Sequence, residues 1–158
     1  MQQKLGKAPH ETAIEDHTYR VFPNDLNSQG TVFGGLIMSI MDNLAHIVAE
    51  RHSQKICVTA SADSISFIES AGQGDNLIFK VSVNRAWKTS MEIGVKVISE
   101  HRNTLAQKHI SSCYLTFVAL DENKKPTLVP PVTPLDPKEV RRFEEAEKRR
   151  QDRLRHKK

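Results

Sequence analysis

Residues 34–51 carry the pattern that most narrows what this chain can become. Numbered at 100° per residue, Asp42, Asn43, His46 and Glu50 fall within about 60° of Ser39. Every other direction around the axis holds Leu36, Ile37, Met38, Ile40, Met41, Leu44, Ala45, Ile47, Val48 or Ala49. A surface helix shows a broad polar face, whereas this one shows a thin polar stripe on an apolar cylinder. The spacing predicts a long helix, opened by Gly34-Gly35 and nearly surrounded by protein.

The rest of the body reads as strands. Leu77, Phe79, Val81 and Val83 alternate with polar or small residues, and so do Met91, Ile93, Val95 and Val97. Residues 111–120 are apolar on both parities, which predicts a strand covered on both faces. A weaker strand spans 57–67 and an early one about 12–22. His101-Arg102-Asn103 reads as a hairpin turn, and 121–125 end the last strand. The order is strand, loop, helix, then four strands. An antiparallel sheet that curls around one apolar helix satisfies that order, an α+β class with the hotdog architecture. Pairing of two copies commonly removes an edge strand of such a sheet.

With 158 residues the chain holds one domain with its own core. The expected divisions are a flexible N-terminus at 1–9, the folded body at 10–129, and a Pro-rich linker with a charged helix at 130–158. The helix, about 136–155, starts at Pro137 and offers little apolar surface, so weak packing and fraying are expected. The net charge of +4 is concentrated there, because residues 138–158 hold ten Lys/Arg against five Asp/Glu. The body is therefore slightly acidic, which argues against a nucleic-acid-binding domain. No apolar run is long enough to cross a bilayer, and residues 1–16 lack the apolar core of a secretory signal. Cys57 and Cys113 sit in apolar runs without CxxC spacing, which suggests buried free thiols in a cytoplasmic protein. No His/Cys/carboxylate set has metal-ligand spacing, and no Gly-x-Ser-x-Gly elbow is present.

Several motifs carry a family resemblance. Asn24-Asp25-Leu26-Asn27-Ser28-Gln29-Gly30-Thr31-Val32-Phe33-Gly34-Gly35, with Met41-Asp42 after it, resembles the signature of the cytosolic acyl-CoA thioesterases of the hotdog type. Val58-Thr59-Ala60-Ser61-Ala62-Asp63, Thr89-Ser90-Met91-Glu92 and Phe117-Val118-Ala119-Leu120-Asp121 match later positions. The resemblance covers about 10–129. It implies hydrolysis of acyl-CoA to fatty acid and coenzyme A, with no separate cofactor. It also implies a homodimer, commonly built into a trimer of dimers, in which Asn27 of one subunit faces Asp42 of the next. Some relatives place His directly before the Gly-Gly pair. Here Phe33 stands there and cannot transfer a proton.

Chemistry gives each position a role. A carboxylate desolvated on a buried helix is a stronger base than one at the surface, so Asp42 is the candidate general base, with direct nucleophilic attack as the alternative. Asn27 can donate to and accept from a water or a carbonyl. The helix start at Gly35 offers unpaired N–H groups to an oxyanion. Position in the family puts Arg51, His52, Thr59, Ala60, Ser61, Lys88, Thr89 and Ser90 against coenzyme A. By pattern alone, Asp42 also fits a solvated stripe and Asn27 a simple turn. His46, four residues past Asp42, reads as its hydrogen-bonded neighbour. A hydratase or dehydratase, or a non-catalytic acyl-CoA sensor, are the competing functions.

Overall fold

The computed structural model describes residues 5–156. Strand β1 (Ile14–Arg20) is followed by helix α1 (Gly34–Ser53). Strands β2 (Ile56–Phe67), β3 (Asn76–Ala86), β4 (Ser90–Glu100) and β5 (Gln107–Leu120) come next, and helix α2 (Pro137–His156) closes the chain. All pairings are antiparallel, in the order β1-β3-β4-β5-β2. The sequence pattern had placed every element but not this order. β2 pairs with β5 at the far edge, so residues 68–75 carry the chain back across the sheet to β3.

The alternation in the strands explains how α1 is held. Leu77, Phe79, Val81 and Val83 of β3, Met91, Ile93, Val95 and Val97 of β4, and Cys113, Leu115, Phe117 and Ala119 of β5 are all buried on one face. Ile37, Met41, Leu44, Ala45, Val48 and Ala49 of α1 join them in one apolar cluster. Burying a side chain of this kind contributes about 1.5–3 kcal/mol, which makes this contact the main source of stability. The helix starts at Phe33, whose backbone is extended, and ends at Gln54 in the left-handed region (φ 55°).

Two expectations change here. First, α1 is not surrounded within one chain: Met38 and Ile47 are over 40% exposed on the side away from the sheet. A single curled sheet can cover only one side of a helix. Second, α2 does not fray from the body. It lies on the opposite face of the sheet from α1, where β5 carries half-buried Ser112, Tyr114 and Thr116. Glu92 of β4 is fully buried beneath it and receives Arg149 (Nη2 to Oε1 2.7 Å) and Asn84 Nδ2 (2.9 Å). Arg153 pairs with Asp63, and Glu147 accepts from Trp87 Nε1 (2.8 Å). Polar groups, not apolar surface, dock this helix, which the count of apolar residues does not reveal.

The Pro-rich segment is extended, as its composition requires. It is tied down by Val129 N to Lys88 O (3.1 Å) and by a bridge from Val132 to Lys7. Lys7 also donates to Arg51 O and His52 O (both 3.0 Å), so the N-terminal stretch is anchored from there on.

Candidate active site

Asp42 projects from the polar stripe of α1 toward β2. Thr59 Oγ1 donates to its Oδ1 at 2.8 Å, and Oδ2 has no partner among the described residues. Local geometry explains the contact. Thr59 pairs with Phe117 but Ser61 pairs with Thr116, so Ala60 is the extra residue of a bulge. Thr59 precedes the bulge and shares the parity of buried Cys57, so plain alternation puts it on the helix side of β2, and the bulge re-aims only the residues after it. Beneath lies Cys113, whose thiol is pushed up to about 12 by burial and then by the Asp42 charge. It stays protonated at neutral pH and is not a nucleophile. Asp42 itself is only half-buried in the single chain.

The start of α1 forms a second cluster. Among the described residues neither Gly34 nor Gly35 N–H meets an acceptor, whereas Leu36 N reaches Phe33 O (3.0 Å). A Cβ on Gly35 would stand 2.6 Å from Phe33 Cζ, and one on Gly34 would stand 3.3 Å from Phe67 Cζ. Both positions face the ring ends of exposed Phe33 and Phe67, so a side chain at either glycine would make those rings shift away from the helix start. Asn27 is exposed in the preceding loop. Its Oδ1 accepts from Gln29 N (2.9 Å) and Thr31 N (3.2 Å), an Asx turn that fixes the side chain. Asn27, Gly34, Ile37, Phe67 and Ile68 line a groove of about 440 Å³. Asp42 and Thr59 do not line it. Asp42 lies seven residues beyond Gly35, roughly 10 Å along the axis. One chain thus holds the two halves of the expected site apart.

Register gathers most of the remaining candidates at one end of the sheet. Val58 pairs with Val118, which pairs in turn with Ser90, so Thr59–Ser61 and Lys88–Ser90 lie two strands apart, about 10 Å. Arg51 is exposed at the end of α1 on the same side. His52 does not present its ring to solvent. It is fully buried, its Nε2 donates to Pro130 O (2.8 Å), and burial lowers its pKa, partly offset by that hydrogen bond. His46 sits beside Glu50 (Nε2 to Oε1 3.1 Å) and against the Phe117 ring, not on Asp42. Sequence reasoning missed Phe67 and Ile68. The available signal was two consecutive large apolar residues closing a strand otherwise rich in small ones. Among the described residues no group of three or more His, Cys, Asp or Glu is placed to hold a metal, and no helix is long and apolar enough to cross a membrane.

A helix-wrapping antiparallel sheet, with a carboxylate on the helix and free N–H groups at its start, defines the hotdog thioesterase class. A profile of the Thioesterase superfamily matches residues 29–106. An uncharacterized acyl-CoA thioester hydrolase of Bacillus subtilis is 43% identical over 142 residues, 88% of this chain and 83% of that protein. A crystal structure of an apo-hexameric acyl-CoA thioesterase superposes with a TM-score of 0.93 at 35% identity, covering 96% of this chain and 97% of the other. The acyl-CoA hydrolase of Staphylococcus aureus, solved with butyryl coenzyme A, coenzyme A and coenzyme A disulfide, gives a TM-score of 0.89 at 34% identity, covering 96% and 92%. The chain belongs to the acyl-CoA thioester hydrolase family of the thioesterase superfamily.

Proposed function

We propose that this protein hydrolyses acyl-CoA thioesters at a site completed by two subunits. The observation that carries the reading is the separation of the parts: Asn27, locked in its own loop, lines the groove at the start of α1, while Asp42, held by Thr59, does not. Each is fixed and neither is complete alone. The Staphylococcus aureus hydrolase has been solved as variants with an aspartate, an asparagine or a threonine replaced by alanine. Asp42, Asn27 and Thr59 supply one of each type here.

In the proposed reaction, Oδ2 of Asp42 takes a proton from a water, and the water oxygen attacks the thioester carbon. Asn27 of the neighbouring subunit orients that water or the carbonyl, while the Gly34 and Gly35 N–H groups stabilise the oxyanion. The tetrahedral intermediate then collapses. The C–S bond breaks, the proton held on Asp42 passes to the leaving thiolate of coenzyme A, and the fatty acid leaves with Asp42 ionised again. Arg51, Thr59–Ser61 and Lys88–Ser90 form the proposed coenzyme A contacts.

The proposed dimer joins the β2 edges and the open side of α1. Ile56 (69% exposed), Phe67, Ile68 and Phe33 all stand free there, with Met38 and Ile47 beside them. Apolar surface on that scale, at an unpaired strand, marks an association site. A trimer of dimers is the proposed assembly and the cytoplasm the proposed compartment, the latter resting on two buried unpaired thiols.

A thiol-release assay over acyl-CoAs of graded length tests the reading. Asp42→Ala and Asn27→Ala should each lose turnover about a hundredfold, the scale for removing such groups. Mixing the two variants, with exchange of subunits, should restore activity. Near-normal turnover by a folded Asp42→Ala oligomer would sink the mechanism. No thiol release from any acyl-CoA would leave a binding protein instead.

A further inference from the structure

The loop between β1 and α1 is built around a carboxylate that has no part in the proposed reaction. Asp25 closes a short 3-10 turn, Pro23–Asp25, and is half-buried. Its Oδ2 accepts from Phe22 N (2.8 Å) and from the Tyr19 hydroxyl (2.9 Å). Tyr19 stands in β1 opposite Leu77 of β3 and packs against the core. Its side chain therefore ties Asp25 to the sheet. This hydrogen bond, with burial and the carboxylate charge adding, pushes the Tyr19 phenol above its ordinary value, so it stays a donor at neutral pH.

The backbone of the same residue reaches the helix. Asp25 O accepts from the N–H of Phe33 (2.8 Å), the residue before Gly34. Between these two the chain closes on itself. Leu26 bridges Val32, and Asn27 N donates to Thr31 O (2.7 Å). Gly30 turns the tip in the left-handed region (φ 76°), and its N–H donates to Asn27 O (3.1 Å). Val32 N also donates to Ala71 O (2.9 Å). Asp25 thus stands where the sheet, the Asn27 loop and the helix start meet. Asn27 is exposed and has no packing to place it, so its position is inherited from the base of its loop.

We propose that Asp25, anchored by Tyr19, is a positioning residue for acyl-CoA hydrolysis: it sets Asn27 against the N–H groups that open α1, on the groove that Asn27 and Gly34 both line. The role rests on the reading that Asn27 orients the water or the carbonyl. Asp25 itself lies outside that groove. A shift of about 1 Å in a reacting group can lower a rate about a hundredfold, so a carboxylate away from the chemistry can still govern it. An Asp25 that only supported the fold would change stability and leave turnover per folded oligomer as it was.

A double-mutant cycle in the full protein separates these roles. Thiol release from acyl-CoA, oligomeric state and denaturant midpoint are measured for Asp25→Ala, Asn27→Ala and Asp25→Ala/Asn27→Ala. Asp25→Ala should lower kcat at least about tenfold with little change in KM. Asp25→Asn, which keeps an acceptor for Tyr19 and Phe22 N, should recover most of that loss. The double variant should be no slower than Asn27→Ala, because misplacing a group and deleting it remove the same interaction. Losses that multiply, or an unchanged kcat in a folded Asp25→Ala oligomer, overturn the proposal while a defective Asn27→Ala leaves the reading of Asn27 standing. Normal turnover by Asn27→Ala removes that reading and the proposal together. Should Asp25→Ala fail to assemble, Tyr19→Phe carries the same cycle, since it deletes only the hydroxyl. It should lower kcat at least about threefold, the scale of one hydrogen bond, and have no effect beside Asn27→Ala. An effect of Tyr19→Phe that persists beside Asn27→Ala overturns the proposal.

Discussion

The two helices have the same length and lie on opposite faces of one sheet, yet they are held by different physics. α1 buries eight of its twenty residues, six of them apolar, while α2 buries only Glu139 and Ala146. α1 is fixed mainly by contact area, which responds little to salt, with His52 near its end as the buried titratable group. α2 is fixed by geometry between charges: Arg149 on Glu92, Arg153 on Asp63, and guanidinium groups stacked on Tyr114, Trp87 and Phe143. Counting apolar residues measures the first kind of attachment and is blind to the second. The sheet between them separates the face that packs α1 and Asp42 from a charged one.

Breaking this contrast should show in energies of different size. Leu44→Ala in α1 should cost about 2–5 kcal/mol of global stability, read by denaturant midpoint, with little dependence on salt. Arg149→Ala leaves the fully buried Glu92 only Asn84 and the more distant Arg153 (3.8 Å), and should cost about 3 kcal/mol. The loss should appear as faster hydrogen exchange across α2 rather than α1, and rising salt should mimic it weakly. Equal loss of protection in both helices would end the distinction.

Acid should separate the anchors next. Burial lowers the pKa of His52, so its neutral form supports the folded state. That support fades as pH falls below about 6.5, where the unfolded chain takes up the proton more readily. Glu139 is buried, yet hydrogen bonds from Leu135 N (2.7 Å), His10 and Asp136 outweigh the desolvation and hold its pKa down. Its contribution is complete above about 4.3 and is lost as pH falls through its lowered value. Protection at Val129 and Val132 should thus fall before protection at 138–141 on acidification. The reverse order would contradict these assignments. The smallest effect belongs to Arg141→Ala, which removes an exposed i,i+4 pair worth at most about 0.5 kcal/mol.

The same contrast explains what was legible beforehand. Periodicity found α1, β3 and β4 because burial on one face writes a repeat into the residues, whereas β1, with no buried residue, carries no such repeat. The turn at 121–125 was legible from its chemistry, and Asp121 Oδ1 accepts from Asn123 N and Lys125 N there. Asp42 and Asn27 stood out only through the family motif, since a thin polar stripe and an Asn-rich turn have ordinary explanations. Thr59 was named for coenzyme A, and its hydrogen bond to Asp42 was not foreseen. His52 was named beside it and proves to be a buried link to Pro130. Neither outcome has a local signal, because each depends on a partner at least seventeen positions away.

By itself the sequence determined the elements, the apolar seam between helix and sheet, and the family to which the chain belongs. Those are consequences of local spacing and of motifs that survive in one dimension. Only the tertiary structure decided the strand order, the docking of α2, and the separation of Asn27 from Asp42 within one chain. These depend on which distant residues meet. Hydrophobic patterning selects a face, but it does not select a neighbour, because apolar contacts are non-directional. Charges and hydrogen bonds do select neighbours, and only once the backbone has brought them within reach.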